Sequence, residues 1–294
     1  MKIDTHQHYW RYFAAEFPWI GGAMSALRKD LLPPDVMPSM MACDIAAVVA
    51  VQARSSVQET EFLLELAHAN PNILGVVGWE DLRALDLSER LDVWSGHNVL
   101  KGFRHILQDE PDPGAVLRDK AFDHGVSALQ SRKWTYDVLV YDHQLPVVLD
   151  FCSRHDRHWL VLDHLGKPCI RDWHTKPEVP LRWLTCIREL GAMPHVMCKL
   201  SGLVTETHWA SGKLAISPEE YDVMFECFDR ALEAFGPDRL LFGSDWPVCK
   251  LAATYGLVHA IVQRWAGARL TEREQNAFWH SNALRCYSLG AMPV

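Results

Sequence analysis

The sequence predicts a (β/α)8 barrel formed as one domain over residues 1–294, with a long loop inserted after the first strand and an extra helix near the C-terminus. Three observations lead there. Eight short runs rich in Val, Ile and Leu alternate with longer stretches of helical periodicity. The runs are apolar almost throughout rather than at every second residue, the mark of parallel strands buried on both faces. At 294 residues the chain has room for eight such units, and no GxGxxG follows a strand, which counts against a doubly wound open sheet.

The first strand is the short run Ile3-Asp4-Thr5-His6. The others are AAVVAVQA (46–53), ILGVVGWE (73–80), VLKGFRHI (99–106), YDVLVYD (136–142), WLVLDHLG (159–166), HVMCKLSG (195–202) and RLLFGSDWP (239–247). Between them, residues 57–70 place Phe62, Leu63, Leu66 and Ala67 on one helical face. Helices are also expected at 86–97, 145–154, 180–190 and 218–235, the last opening with Ser217 as cap and Pro218 in the first turn. Two more close the chain, at 251–266 and 271–287, and Thr271 with Glu274 forms a capping-box pattern. Residues 9–34 have no periodicity and hold several aromatic, Pro and Gly residues, so they are expected to form a loop over the barrel mouth.

Composition excludes several classes of function. The net charge is −8 and no basic stripe is visible, so nucleic acid is not an expected partner. No apolar run is long enough to cross a bilayer, so no membrane partner is expected. The N-terminal MKIDTHQH lacks a signal-peptide core, so a cytoplasmic chain is expected. The 8 Cys form no CxxC pair and most lie in apolar contexts, such as Cys198 and Cys227, as expected of reduced, buried thiols. Most of the 12 Trp are expected to be structural, because each buries a large area. A homo-oligomer is compatible with the sequence, which does not specify one.

Chemistry on this fold belongs at the C-terminal ends of the strands. The polar residues expected there are His6 and His8 (first strand), Arg104 and His105 (fourth), Tyr141 and Asp142 (fifth), Asp163 and His164 (sixth), Lys199 and Ser201 (seventh), and Ser244 and Asp245, followed by Trp246 (eighth). His6 and His8 are two apart on extended chain, so both imidazoles point the same way. They can bind one metal or share one oxygen. Alone, an HxH is weak, Asp245 reads as a turn carboxylate before Pro247, and His164 as a junction histidine. Their shared position at strand ends makes them candidates together.

HxH after the first strand, KGFRH (101–105), DHLGKP (163–168), FGSDWP (242–247) and the Asn282-Ala283…Tyr287 ending together resemble the amidohydrolase superfamily. More narrowly, they are similar to its branch of sugar lactonases and pyrone-dicarboxylate lactonases. The resemblance spans nearly the whole chain and implies a (β/α)8 hydrolase acting on ester or amide bonds in rings. Two-metal members carry a carboxylated Lys on the fourth strand and a His on the fifth. Arg104-His105 and Tyr141-Asp142 stand there instead, so two metals are not expected. A lone Zn2+ on His6, His8 and Asp245, with or without His164, is allowed but not required, and the branch includes members that need no metal.

The resemblance therefore implies a lactonase of the carboxylic-ester hydrolase type, with no required cofactor and a sugar lactone such as L-fucono- or L-rhamnono-lactone as its small-molecule partner. Asp245 would activate water, with His6, His8 and His164 holding it or the developing charge, and Arg104 or His105 polarising the carbonyl. Arg104, His105, Trp10, Trp246 and Lys199 are the expected substrate-binding residues. A dicarboxylate substrate would need more cations than Arg104 and Lys199, although Arg11, Arg28 or Arg171 could reach in from loops. Aromatic residues such as Tyr9, Trp10, Trp19 and Trp246 suit a neutral polyol ring better. Competing readings are a metal-dependent decarboxylase of an aromatic or dicarboxylic acid, a non-catalytic binding barrel, and a metal-dependent nuclease or phosphotriesterase. The first normally uses the fifth-strand His that is absent, the second would be expected to lack Asp245, and the third is opposed by the acidic charge and the missing Lys.

Overall fold

In the computed structural model, which describes residues 1–211 and 216–290, eight strands pair in parallel and in sequence order. They are β1 (Lys2–Gln7), β2 (Ile45–Val51), β3 (Ile73–Gly78), β4 (Leu100–His105), β5 (Thr135–Val138), β6 (Leu160–Leu162), β7 (Val196–Leu200) and β8 (Leu240–Phe242). Helices cover the outside, and the expected (β/α)8 barrel is the architecture found. Among the described residues no helix is long and apolar enough to cross a membrane.

Alternation along the strands divides the core in two. Ile3, Val49, Val77, Val161, Met197 and Leu241 form one cluster inside the barrel. Their sequence neighbours, such as Val48, Val76, Leu160, Leu162, Cys198 and Phe242, belong to a larger cluster between strands and helices. Each strand is therefore buried on both faces, which is why its sequence reads as a continuous apolar run. The segment after Ser281 plugs the inner cluster with Ala283, Cys286, Tyr287 and Leu289. Asn282 anchors that plug through its Nδ2, which donates to the carbonyls of Pro237 and Leu240.

Helices with clear signals appear close to where the sequence places them. Leu145–Arg154 and Pro218–Phe235 have the expected bounds, and Ser217 and Glu220 make a reciprocal cap at the start of the second. The helical region expected at 271–287 is broken by a π-turn at Ala277–Ser281. Helices at Pro33–Ala42, Pro113–Arg118 and Lys120–Ser131 were not expected.

Three strands are shorter than their apolar runs for a visible reason. After β6 the chain enters a left-handed turn in which His164, Leu165, Gly166 and Lys167 all have φ between 50 and 68°. After β7, Gly202 has φ 68°, and after β8, Asp245 has φ 57°. These positions end the strands and aim side chains across the barrel mouth. Left-handed backbone in non-glycine residues costs about 1–3 kcal/mol each and clusters at functional sites.

Closure of the barrel falls just beyond the paired part of β8. The Asp245 amide donates to the His6 carbonyl (3.0 Å), and the His8 amide donates to the Trp246 carbonyl (2.7 Å). Asp4, fully buried, fastens the same seam, accepting from the amides of His6 and Ser244, the Gln7 side chain and the Tyr255 hydroxyl.

Candidate active site

The seam brings the HxH pair and Asp245 together, because the hydrogen bonds that close the barrel join their backbones. His6 Nε2 lies 3.1 Å from His8 Nε2. Asp245 Oδ1 lies 3.4 Å from His8 Nε2 and 3.9 Å from both His6 Nε2 and His164 Nε2. One carboxylate oxygen thus faces three imidazoles, and all four side chains are nearly inaccessible to solvent.

The tautomer of His8 follows from its partner. Its Nδ1 lies 2.7 Å from the Val51 carbonyl, which only accepts, so Nδ1 carries the proton and neutral His8 presents a lone pair at Nε2. His164 is oriented by Ser201, whose hydroxyl lies 2.8 Å from its Nδ1. Gly202 makes room for that ring: a Cβ there would stand 2.6 Å from His164 Nδ1.

Beneath these residues is a fully buried ion network. Arg104 donates to Asp163 (2.8 Å) and to the Gln52 carbonyl. Lys199 reaches Asp137 (2.6 Å), Asp163 (3.0 Å) and His6 Nδ1 (3.1 Å), and the Tyr287 hydroxyl donates to Asp137 from the plug below. Two cations balance two carboxylates, as burial of charge requires. Burial disfavours the Lys199 ammonium, but Asp137 and Asp163 more than offset it, so the amine is held above the ordinary lysine value.

Burial would raise the Asp245 carboxyl, yet the surrounding imidazoles, His164 foremost, hold it well below the usual carboxylate range. His6 is held well below the ordinary histidine value, chiefly by burial, with Asp163 opposing. Burial also lowers His164 to about 4, against the pull of Asp245 and Asp163. Neutral pH therefore finds an ionised Asp245 beside neutral His6 and His164.

The low value of His164 has a consequence for stability. The unfolded chain binds its proton near pH 6.5 and the native state only near 4, so native stability is lost as pH falls through that window. In metal-free protein, the urea-unfolding advantage of wild type over His164→Gln is expected to shrink from pH 6.5 to 4. An advantage that grew instead would mean that the native state holds an imidazolium there.

A cavity of about 230 Å3 opens above Asp245, His8, His164 and Arg104. Trp19 and Met24 from the loop after β1 line it, together with Trp209. Of the expected substrate-binding residues, the structure brings only Arg104 to this cavity. Trp10 is buried in the core against Phe17 and Trp19, its Nε1 donating to Leu27 and Lys29 carbonyls. Trp246 packs in the core against Tyr9. Lys199 is sealed in the ion network, fully buried beneath the cavity. His105 points the other way from Arg104, as alternation on β4 demands, and is held between Trp79 and Glu110. Asp142 lies beyond the end of β5 and pairs with Arg182. The inward residue of β5 is Asp137, which the sequence reading missed. Its signal was a carboxylate inside an apolar run, with a lysine similarly placed in MCKLS of β7.

The donor set suits one divalent ion. Tetrahedral zinc at about 2.0–2.2 Å from N and O ligands sets donors roughly 3.3–3.6 Å apart. The distances among His6, His8 and Asp245 are 3.1, 3.4 and 3.9 Å. His6, His164 and Asp245 form a further compatible triplet, with all donor atoms within 4.8 Å of one another. A permanent cation also borders this set, since Arg104 Nη1 lies 3.4 Å from His6 Nε2.

Residues 3–289 match the model of the amidohydrolase family. The chain is 52% identical to an L-fucono-1,5-lactonase of Burkholderia multivorans, over 98% of this chain and 96% of that protein. It is 31% identical to an L-fucono-1,5-lactonase of Burkholderia ambifaria, over 87% and 83% of the two chains. A crystal structure of an amidohydrolase from Burkholderia multivorans with bound zinc superposes with a TM-score of 0.94 at 51% identity, covering 99% of this chain and 100% of that one.

Proposed function

Because the chain belongs to the amidohydrolase family, we propose that it is a lactonase that opens a sugar lactone, with L-fucono-lactone first among the candidates and L-rhamnono-lactone second. The observation that carries the reading is Asp245: an ionised carboxylate at the cavity floor, facing three imidazoles, within a chain 52% identical to an L-fucono-1,5-lactonase.

In the proposed reaction Asp245 takes a proton from water as that water attacks the lactone carbonyl. His8, with its Nε2 lone pair, and His164, fixed by Ser201, orient the water. Arg104 polarises the carbonyl oxygen. Its Nη atoms donate to Asp163 and the Gln52 carbonyl, and the residue lines the cavity beside His8, His164 and Asp245. Asp245 then returns the proton to the departing ring oxygen, acting as base and then as acid. Lys199 keeps His6 and Asp163 in place from below.

His6, His8 and Asp245, with His164 beside them, would hold a divalent ion. Such an ion supplies Lewis-acid polarisation when bound. We propose that turnover does not depend on it. A lactone loses an alkoxide, a far better leaving group than the amide ion of a lactam, so a base and a carbonyl donor worth a few powers of ten each suffice.

The test is a panel of aldono-lactones assayed by acid release with a pH indicator, beside aromatic carboxylic acids assayed for CO2. Ring opening of at least one lactone is expected, with L-fucono-lactone the fastest. CO2 release without lactone hydrolysis would replace this reading with the decarboxylase.

A further inference from the structure

The left-handed turn after β6 does more than place His164. The Lys167 amide donates to the His164 carbonyl at 2.8 Å, so the turn brings Lys167 back to the cavity that His164 faces. Three residues with positive φ other than Gly166 make this turn costly, and Gly166 itself sits where a Cβ would stand 2.7 Å from Leu145. The position of Lys167 is therefore imposed by the fold.

Its ammonium lies 3.2 Å from Gln108 Oε1, 4.8 Å from the Tyr141 ring centre and 3.5 Å from Glu206 Oε1. Glu206 comes from the turn that follows β7 and is 4% exposed. A buried carboxylate on the wall of a binding cavity is costly unless it has a task or a partner. Here it faces Lys167 and, at longer range, Arg171.

Arg104 borders the cavity but is already balanced by Asp163 in the ion network beneath it. The other lining cations are Lys167 and Arg171, and the lining carboxylates are Asp109, Glu206 and Asp245. One of those carboxylates is the proposed base. Without Glu206 the Lys167 ammonium would lose its carboxylate partner and stand on the wall as a cation suited to an anionic ring.

We propose that Glu206 is a specificity-determining residue: by pairing with Lys167 it withholds that cation from an anionic ring and favours an uncharged lactone over one bearing a carboxylate. The inference rests on the lactonase reading and adds the charge class of the substrate. Discrimination of this kind comes from an element that repels or leaves unpaired the wrong ligand, as well as from contacts to the right one.

The matched probes are L-fucono-lactone and galactarolactone, which carries a carboxylate where the first carries a methyl. Rates are measured at pH 8 with the spontaneous rate subtracted. Wild type is expected to prefer L-fucono-lactone. Glu206→Gln is expected to shift the ratio of kcat/KM values toward galactarolactone by about tenfold or more, and less so at high salt. Lys167→Met should shift it the opposite way, and the double variant should return within a few fold of wild type. Tracking of preference with net charge is a result that a purely structural role would not produce. An unchanged ratio in Glu206→Gln, or equal losses on both probes in all three variants, overturns the inference while leaving the lactonase reading intact. A wild type that opens neither lactone removes both.

Discussion

Asp245→Asn is expected to lower kcat/KM for the lactone by a factor of about 10²–10⁴ while leaving the fold intact, because it removes the proposed general base without changing the shape of the side chain. The amide cannot take a proton from water, and it offers the imidazoles a mixed donor and acceptor where they had a carboxylate. The backbone of residue 245 is untouched, so its hydrogen bond to His6 persists and the barrel stays closed. The check is steady-state kinetics beside thermal unfolding. A variant with near-normal turnover would take the role of base away from Asp245, and a variant that failed to fold would show that its charge is needed at the seam.

Lys199→Met carries the largest expected cost in stability, about 3–5 kcal/mol, because it leaves carboxylates buried without their cation. Lys199 is fully buried against Asp137, Asp163 and His6, and Arg104 can compensate only Asp163. Urea unfolding followed by circular dichroism measures the loss. Adding Asp137→Asn should recover part of it, since the double variant restores the charge balance. An additive second loss would show that the network is held by shape rather than by charge.

The two roles differ in how far the sequence revealed them. His6, His8, His164 and Asp245 could be found because each lies at the C-terminal end of a recognisable apolar run, and the barrel itself converts that order into proximity. The burial of Lys199 was hidden by the same logic. Its run extends through Leu200, so the lysine lies inside the barrel rather than at its rim. Asp137 was hidden because the apolar pattern of YDVLVYD continues to Asp142 while strand pairing stops at Val138.

Loops were the least legible part. Residues 9–34 contain Tyr9, Trp10 and Trp19, and nothing in their spacing separates Trp19, which lines the cavity, from Trp10, which lies in the core. The strand alternation that sends Arg104 inward and His105 outward was available in KGFRH, by counting from Gly102 and Phe103. The left-handed turn at 164–167 was not, since Leu165 and Lys167 are types that rarely adopt positive φ.

The central claim is that an ionised Asp245 beside neutral His6 and His164, helped by Arg104, opens a sugar lactone without needing a metal. It is tested most directly by L-fucono-lactone turnover of protein stripped with chelator, its residual metal measured by atomic emission. Turnover within a few fold of the untreated protein is the predicted result. Turnover that disappears with the metal and returns on addition of Zn2+ would contradict the claim, and would make the His6, His8 and Asp245 set an obligate metal centre.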